Sequence, residues 1–128
     1  MNFKLDTKDK FHVITLLESN FTADMAAKLS NSLLPYLQND VKNIVLSLKE
    51  MFQIDQAASN SLVSLQQIFN VAKASFVICE MQQPVKDYLE SLQLLEKLNY
   101  TFTETEAWDI VQMEEMEREF LDDEVNNL

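Results

Sequence analysis

The chain has 128 residues, 47% of them apolar, which is enough for one hydrophobic core and short for two, so a single domain is expected. Ten Lys and Arg against twenty-one Asp and Glu leave a net charge of -11, which repels phosphate backbones and anionic lipid and argues against nucleic acid or a membrane as partner. Glycine is absent where an average chain carries about 7%, which disfavours Gly-rich phosphate loops and tight positive-φ hairpins and leaves the turns to Asn, Asp, Ser and Lys.

Asn2 to Lys8 alternates polar and apolar residues (Phe3, Leu5), and FHVITLL, Phe11 to Leu17, follows across the turn-like TKDK. This predicts a hairpin of an edge strand and a more buried strand. His12, the only histidine, falls opposite Phe11 and Val13 in the alternation and reads as a solvated strand residue, since no second ligand or nucleophile accompanies it. Thr22 is placed to cap a first helix whose apolar stripe is Ala26, Leu29, Leu33 and Leu37, with Pro35 loosening its last turn and Asn39-Asp40 ending it. Asn43 to Leu48, NIVLSL, is short and rich in branched residues, as expected of a central strand covered on both faces.

The stretch KEMFQIDQAASNSLVSL, Lys49 to Leu65, then passes from strand and loop into an amphipathic helix. Asp55 precedes apolar positions at Ala58, Leu62, Leu65, Phe69 and Ala72, which puts its carboxylate at the N-cap, accepting first-turn N–H groups at the positive end of the helix dipole. The helix should reach about Lys73. SFVIC, Ser75 to Cys79, reads as a second buried strand parallel to the first. Cys79 has no partner for an internal disulfide and no base beside it, so it reads as a small buried hydrophobe in a chain of a reducing cytoplasm; no apolar signal segment is expected either. Pro84 fits the start of a third helix with Val85, Tyr88, Leu89 and Leu92 inward, and Leu98 to Thr103 can add a short last strand.

A capping-box spacing, Thr103 to Glu106, opens a fourth helix with Ala107, Ile110 and Val111 toward the core. Beyond Met113 the acids Glu114, Glu115, Glu117, Glu119, Asp122, Asp123 and Glu124 predict a solvated extension, so the boundary is drawn at 1–113 for the domain and 114–128 for an acidic helix extension or tail. These carboxylates lack the alternating ligands and the Gly of a calcium loop, and no metal site or cofactor is expected. Paired catalytic carboxylates and a nucleophile with its base are also missing, so there are no catalytic residues to name and the chain does not read as an enzyme.

The order β β α β α β α (β) α, with NIVLSLKEMFQID leading to the capped helix, FVICEMQQPVKDYLESLQL and TFTETEAW, resembles the STAS domain, the fold of bacterial anti-sigma factor antagonists. The resemblance implies an α/β single domain with a mixed four- or five-stranded sheet and about four helices mainly on one face. Members carry Asp-Ser-Ser-Gly-Leu where this chain has Asp55, Gln56, Ala57, Ala58 and Ser59, so only the Asp is kept. The family pattern implies binding of an anti-sigma factor or serine kinase through this region, here Asp55 to Asn60, and release when the second Ser is phosphorylated. That Ser corresponds to Ala57, so the usual switch is expected to be absent or moved to Ser59 or Ser61. Two readings follow: an anti-sigma antagonist without the usual switch, or a non-switching scaffold that assembles with itself or with other STAS domains.

Overall fold

Two segments of alternating residues, Phe3–Thr7 (β1) and Phe11–Leu16 (β2), pair antiparallel in an unbroken register from Phe3 opposite Leu16 to Thr7 opposite His12. The structure is a computed structural model describing residues 1–126, with side chains described for residues 1–122. A two-residue strand, Asn20–Phe21 (β3), leads into Ala23–Leu33 (α1), capped by the Thr22 hydroxyl, which accepts from the Met25 N–H at 3.4 Å. The α-helix gives way at Pro35, where Leu34–Gln38 is wound as a 3-10 turn, tighter rather than looser than α. Asn43–Ser47 (β4), the two-residue Gln53–Ile54 (β5), Gln56–Val71 (α2) and Phe76–Cys79 (β6) follow. Gln83–Ser91 (α3), the two-residue Tyr100–Thr101 (β7) and Glu104–Asn126 (α4) complete the order.

The main sheet runs β1-β2-β4-β6-β7, parallel except for β1, while β3 and β5 form a separate parallel pair. Because side chains alternate across a strand, each central strand supplies both faces. Ile14, Leu16, Ile44, Leu46, Phe76 and Ile78 meet Leu29 and Leu33 of α1, Leu62, Leu65 and Phe69 of α2, and Val85 and Leu89 of α3. Phe11, Val13, Val45, Val77 and Cys79 form the opposite face and are covered by Ala107 and Val111 of α4. Three helices thus lie on one face and the fourth on the other.

Helices α2 and α3 both end on a residue with positive φ, Lys73 at 59° and Gln93 at 59°. In each, the next amide returns to the helix: Ala74 N–H donates to Phe69 C=O, and Leu94 N–H to Leu89 C=O. These are Schellman ends, usually closed by glycine; with none in the sequence, Lys and Gln take the left-handed positions.

Two expectations are corrected. His12 is not solvated: it is 8% exposed, packs against the Tyr36 ring at 4.5 Å between centroids, and lies within hydrogen-bond distance of two partners. A carbonyl only accepts, so Nε2–H donates to Val41 C=O (3.2 Å), and in the neutral ring Nδ1 accepts from the Thr7 hydroxyl (3.0 Å). The acidic run after Met113 is not wholly solvated either. Asn43 donates to Lys10 C=O and to Glu115 (2.9 Å each) and accepts from Ser75 N–H (2.7 Å) and Arg118 (3.2 Å). The Ser75 hydroxyl donates to Glu114 at 2.6 Å, and Arg118 pairs with Glu115 at 2.7 Å. Side chains around a buried Asn therefore hold α4 to the sheet as far as Arg118, and helix continues through Met113 without a break. The Asp123 and Glu124 side chains, assigned to the tail, lie outside the described residues.

Candidate functional site

At the ends of β3 and β5 the chain enters α1 and α2 from adjacent positions, because Asn20 pairs with Gln53 and Phe21 with Ile54. The preceding loop is pinned at several points. Met51 is fully buried, its N–H donates to Leu48 C=O, Phe52 and Gln53 N–H both donate to Ser19 C=O, and Gln82 donates to Lys49 C=O at 2.6 Å.

Asp55 is the N-cap of α2, with extended backbone (φ -90°, ψ 173°), as the sequence predicts. One carboxylate oxygen, Oδ1, accepts from Ala58 N–H at 2.7 Å. The other, Oδ2, accepts from Ala23 N–H at 3.1 Å, and Ala23 is the first residue of α1. A single carboxylate therefore bridges two helix N-termini, each of which favours negative charge. The Asp55 N–H closes the arrangement by donating to Phe21 C=O at 3.1 Å.

The six candidate partner-binding residues divide by helix geometry. Gln56, Ala57 and Asn60 face solvent, Asp55 is half-buried, and Ala58 and Ser59 are fully buried. The Ser59 hydroxyl donates to Asp55 C=O at 2.8 Å inside the first turn. That hydroxyl is enclosed by the first turn, so a kinase would reach it only by opening the turn. Ser61 is half-buried, so of the two alternatives it keeps some access. Ala57 presents only a methyl group where the resemblance implies a hydroxyl.

Beside Asp55 lies a shallow groove of about 360 Å³ lined by Asn20, Phe52, Gln53, Ile54, Pro84 and Tyr88. Phe52 stands 49% exposed at its rim. Sequence reasoning did not single out Phe52, Pro84 or Tyr88 as site residues; an aromatic inside the KEMFQID loop, flanked by charge and without helical periodicity, was the available signal for the first. Cys79 is fully buried, and its thiol is pushed up to about 12, by burial first and then by Glu104 and Glu80. That removes it from nucleophilic chemistry near neutral pH. Among the described residues no group of three or more His, Cys, Asp or Glu is arranged to hold a metal ion, and no helix is long and apolar enough to cross a membrane.

A family model described as STAS domain matches residues 2–107. No curated protein matches the sequence. Among solved structures, the fold is shared with the Thermotoga maritima protein TM1081, which is 18% identical with 88% of this chain and 90% of that one covered, at a TM-score of 0.75. RsbS of Moorella thermoacetica is 14% identical over 88% and 96% of the two chains, with a TM-score of 0.72. The anti-sigma factor antagonist SpoIIAA in its unphosphorylated form, from Bacillus, is 13% identical over 87% and 98%, with a TM-score of 0.66.

Proposed function

The chain belongs to the STAS domain family, and from that premise we propose that it is a protein–protein interaction module of the anti-sigma factor antagonist kind, acting in bacterial transcription regulation without the usual serine switch. Its partner on this reading is an anti-sigma factor or a related serine kinase, met in the cytoplasm at the surface formed by Asp55, Gln56, Ala57 and Asn60 and the groove beside Phe52. The observation that carries the reading is Ala57, solvent-facing in the first turn of α2 next to the Asp55 bridge and without a hydroxyl.

The physics of the missing switch is local. A phosphoryl group brings nearly two negative charges and three acceptor oxygens. On residue 57 it would sit at the N-terminus of α2, where the chain tolerates an anion, yet beside the Asp55 carboxylate and on the surface offered to the partner. With Ala57 that charge cannot be placed there, and the surface keeps its binding-competent form.

The test is affinity capture from the native host, with and without ATP, using the natural chain and two variants. Recovery of a serine kinase of the anti-sigma type, lost on Ala57→Arg and unaffected by ATP for the natural chain, supports the reading. With Ala57→Ser, ATP should release the kinase as phosphate appears on the new hydroxyl. Recovery of copies of the chain alone favours the scaffold reading, and stoichiometric phosphate on Ser61 of the natural chain with loss of partner shows a displaced switch.

A further inference from the structure

Strand β1 ends the sheet with all five residues exposed, Phe3 at 40% and Leu5 at 44%. In an antiparallel ladder, pairs that exchange hydrogen bonds alternate with pairs that do not. The flanking bonds set the phase here: Leu17 N–H donates to Asn2 C=O and Lys8 N–H to Phe11 C=O. The even-numbered residues of β1 therefore bond to β2, and Phe3, Leu5 and Thr7 turn their N–H and C=O groups toward the open edge. Natural edges are commonly blunted by proline, a bulge or charged side chains; β1 has no proline or bulge in its five-residue register, and its two charges, Lys4 and Asp6, are of opposite sign.

The charges on this edge are self-complementary. With a second copy laid antiparallel about a two-fold axis through Leu5, the three outward-facing residues form the hydrogen-bonded pairs: Leu5 opposite the second copy's Leu5, and Phe3 opposite its Thr7. Lys4 then falls opposite the second copy's Asp6, and Asp6 opposite its Lys4, in the intervening pairs where side chains approach most closely. Moving the axis by one residue, to Lys4 or Asp6, sets like charges face to face. Phe3 and Leu5 share the side of the sheet with Leu16 and Ile14, their partners in β2, so two copies also gather four half-exposed apolar side chains. The first twelve residues carry Lys4, Lys8 and Lys10 against Asp6 and Asp9, so this edge does not share the acidic excess that repels copies elsewhere.

We propose that β1 is a homodimerisation edge, through which a second copy of this chain continues the sheet by antiparallel pairing centred on Leu5. The opposite edge, β7, is two residues long, so association stops at a closed two-fold dimer. One short strand pair makes a small interface of the transient class, so the dimer is concentration-dependent. It forms whichever partner occupies the Asp55 surface.

Sedimentation velocity over a concentration series, with amide exchange by NMR, tests this. The natural chain should shift toward twice its monomer mass, with Phe3, Leu5 and Thr7 amides becoming slow to exchange as it does so. Lys4→Asp and Asp6→Lys each create two like-charge pairs in a homodimer and should weaken it about tenfold or more. Both residues are exposed, and Asp6→Lys gives up only a surface ion pair with Lys8 (3.1 Å), so the fold should persist. An equal mixture of the two variants faces two acids with two bases and should associate again as a heterodimer. A chain that stays monomeric at millimolar concentration, a dimer whose odd-numbered β1 amides remain unprotected, or a mixture no better than its components overturns the proposal.

Discussion

Replacing Asp55 separates its two structural roles. In Asp55→Ala both helices lose their acceptor. The N-cap of α2 alone is worth about 0.5–2 kcal/mol. The bond to Ala23 is charge-assisted, about 1.5–3 kcal/mol when buried, but Ala23 is exposed and Asp55 only half-buried, so about 0.5–1 kcal/mol is the realistic share after screening. The alanine variant should therefore lose about 2 kcal/mol. In Asp55→Asn the single amide oxygen can still cap Ala58, but the NH2 group faces Ala23 N–H, donor against donor; that variant should lose about 1 kcal/mol. Urea unfolding with an unchanged m-value measures both. Amide exchange localises them, with Ala23 losing protection in the asparagine variant while Ala58 keeps it. Equal losses for the two variants, or an asparagine variant as stable as the natural chain with Ala23 still protected, would refute the bridge.

Three other expectations concern the ends and the interior of the fold. Burial opposes ionisation of Glu115, but the hydrogen bonds from Arg118 and Asn43 outweigh it and hold the carboxyl below its ordinary 4.5. A folded-state pKa below the unfolded one stabilises fully above 4.5 and is lost as pH falls through the folded value, so the stability gap between the natural chain and Glu115→Gln should be open at neutral pH and close in acid; a gap independent of pH would contradict this. Cys79 should resist iodoacetamide in the native chain at mildly alkaline pH and be alkylated in proportion to the unfolded fraction as urea is added, whereas rapid alkylation without urea would show an open path to the thiol. Lys73→Gly and Gln93→Gly should each stabilise by about 0.5–1 kcal/mol, relief of the left-handed backbone exceeding the entropy added to the unfolded chain, and a loss in either would mean that the side chain itself contributes there.

What could be read in advance follows the range of the interactions. Ile44, Leu46, Val77 and Ile78 in strands, and Leu29, Leu33, Leu62, Leu65 and Phe69 on helices, announce burial by local periodicity, and all are buried. The Asp55 cap is local too, three residues from Ala58. Its second role is not, because Ala23 lies 32 positions away and nothing in either segment marks the pairing. His12 was misread for the same reason: Val41 and Tyr36, which enclose it, come from the far end of the α1 connection. Glu114, Glu115 and Arg118 look like any charged helix end until Asn43 and Ser75 are brought beneath them. Strands β3 and β5, two residues each, are too short to show any alternation.

Covering the back of the sheet with α4 makes the order of synthesis matter. The strands that carry Phe11, Val13, Val45, Val77 and Cys79 are complete once Cys79 has been made, but Ala107 and Val111, which close over them, follow about thirty residues later. At roughly 5–20 residues per second, a ribosome leaves that apolar face open for a few seconds in every nascent chain. Until α4 docks, those strands can offer apolar surface to other chains and chaperones, and a pause while α4 is being made prolongs the exposure. Aggregation during expression should accordingly depend on how fast the α4 codons are translated, at unchanged equilibrium stability of the finished fold.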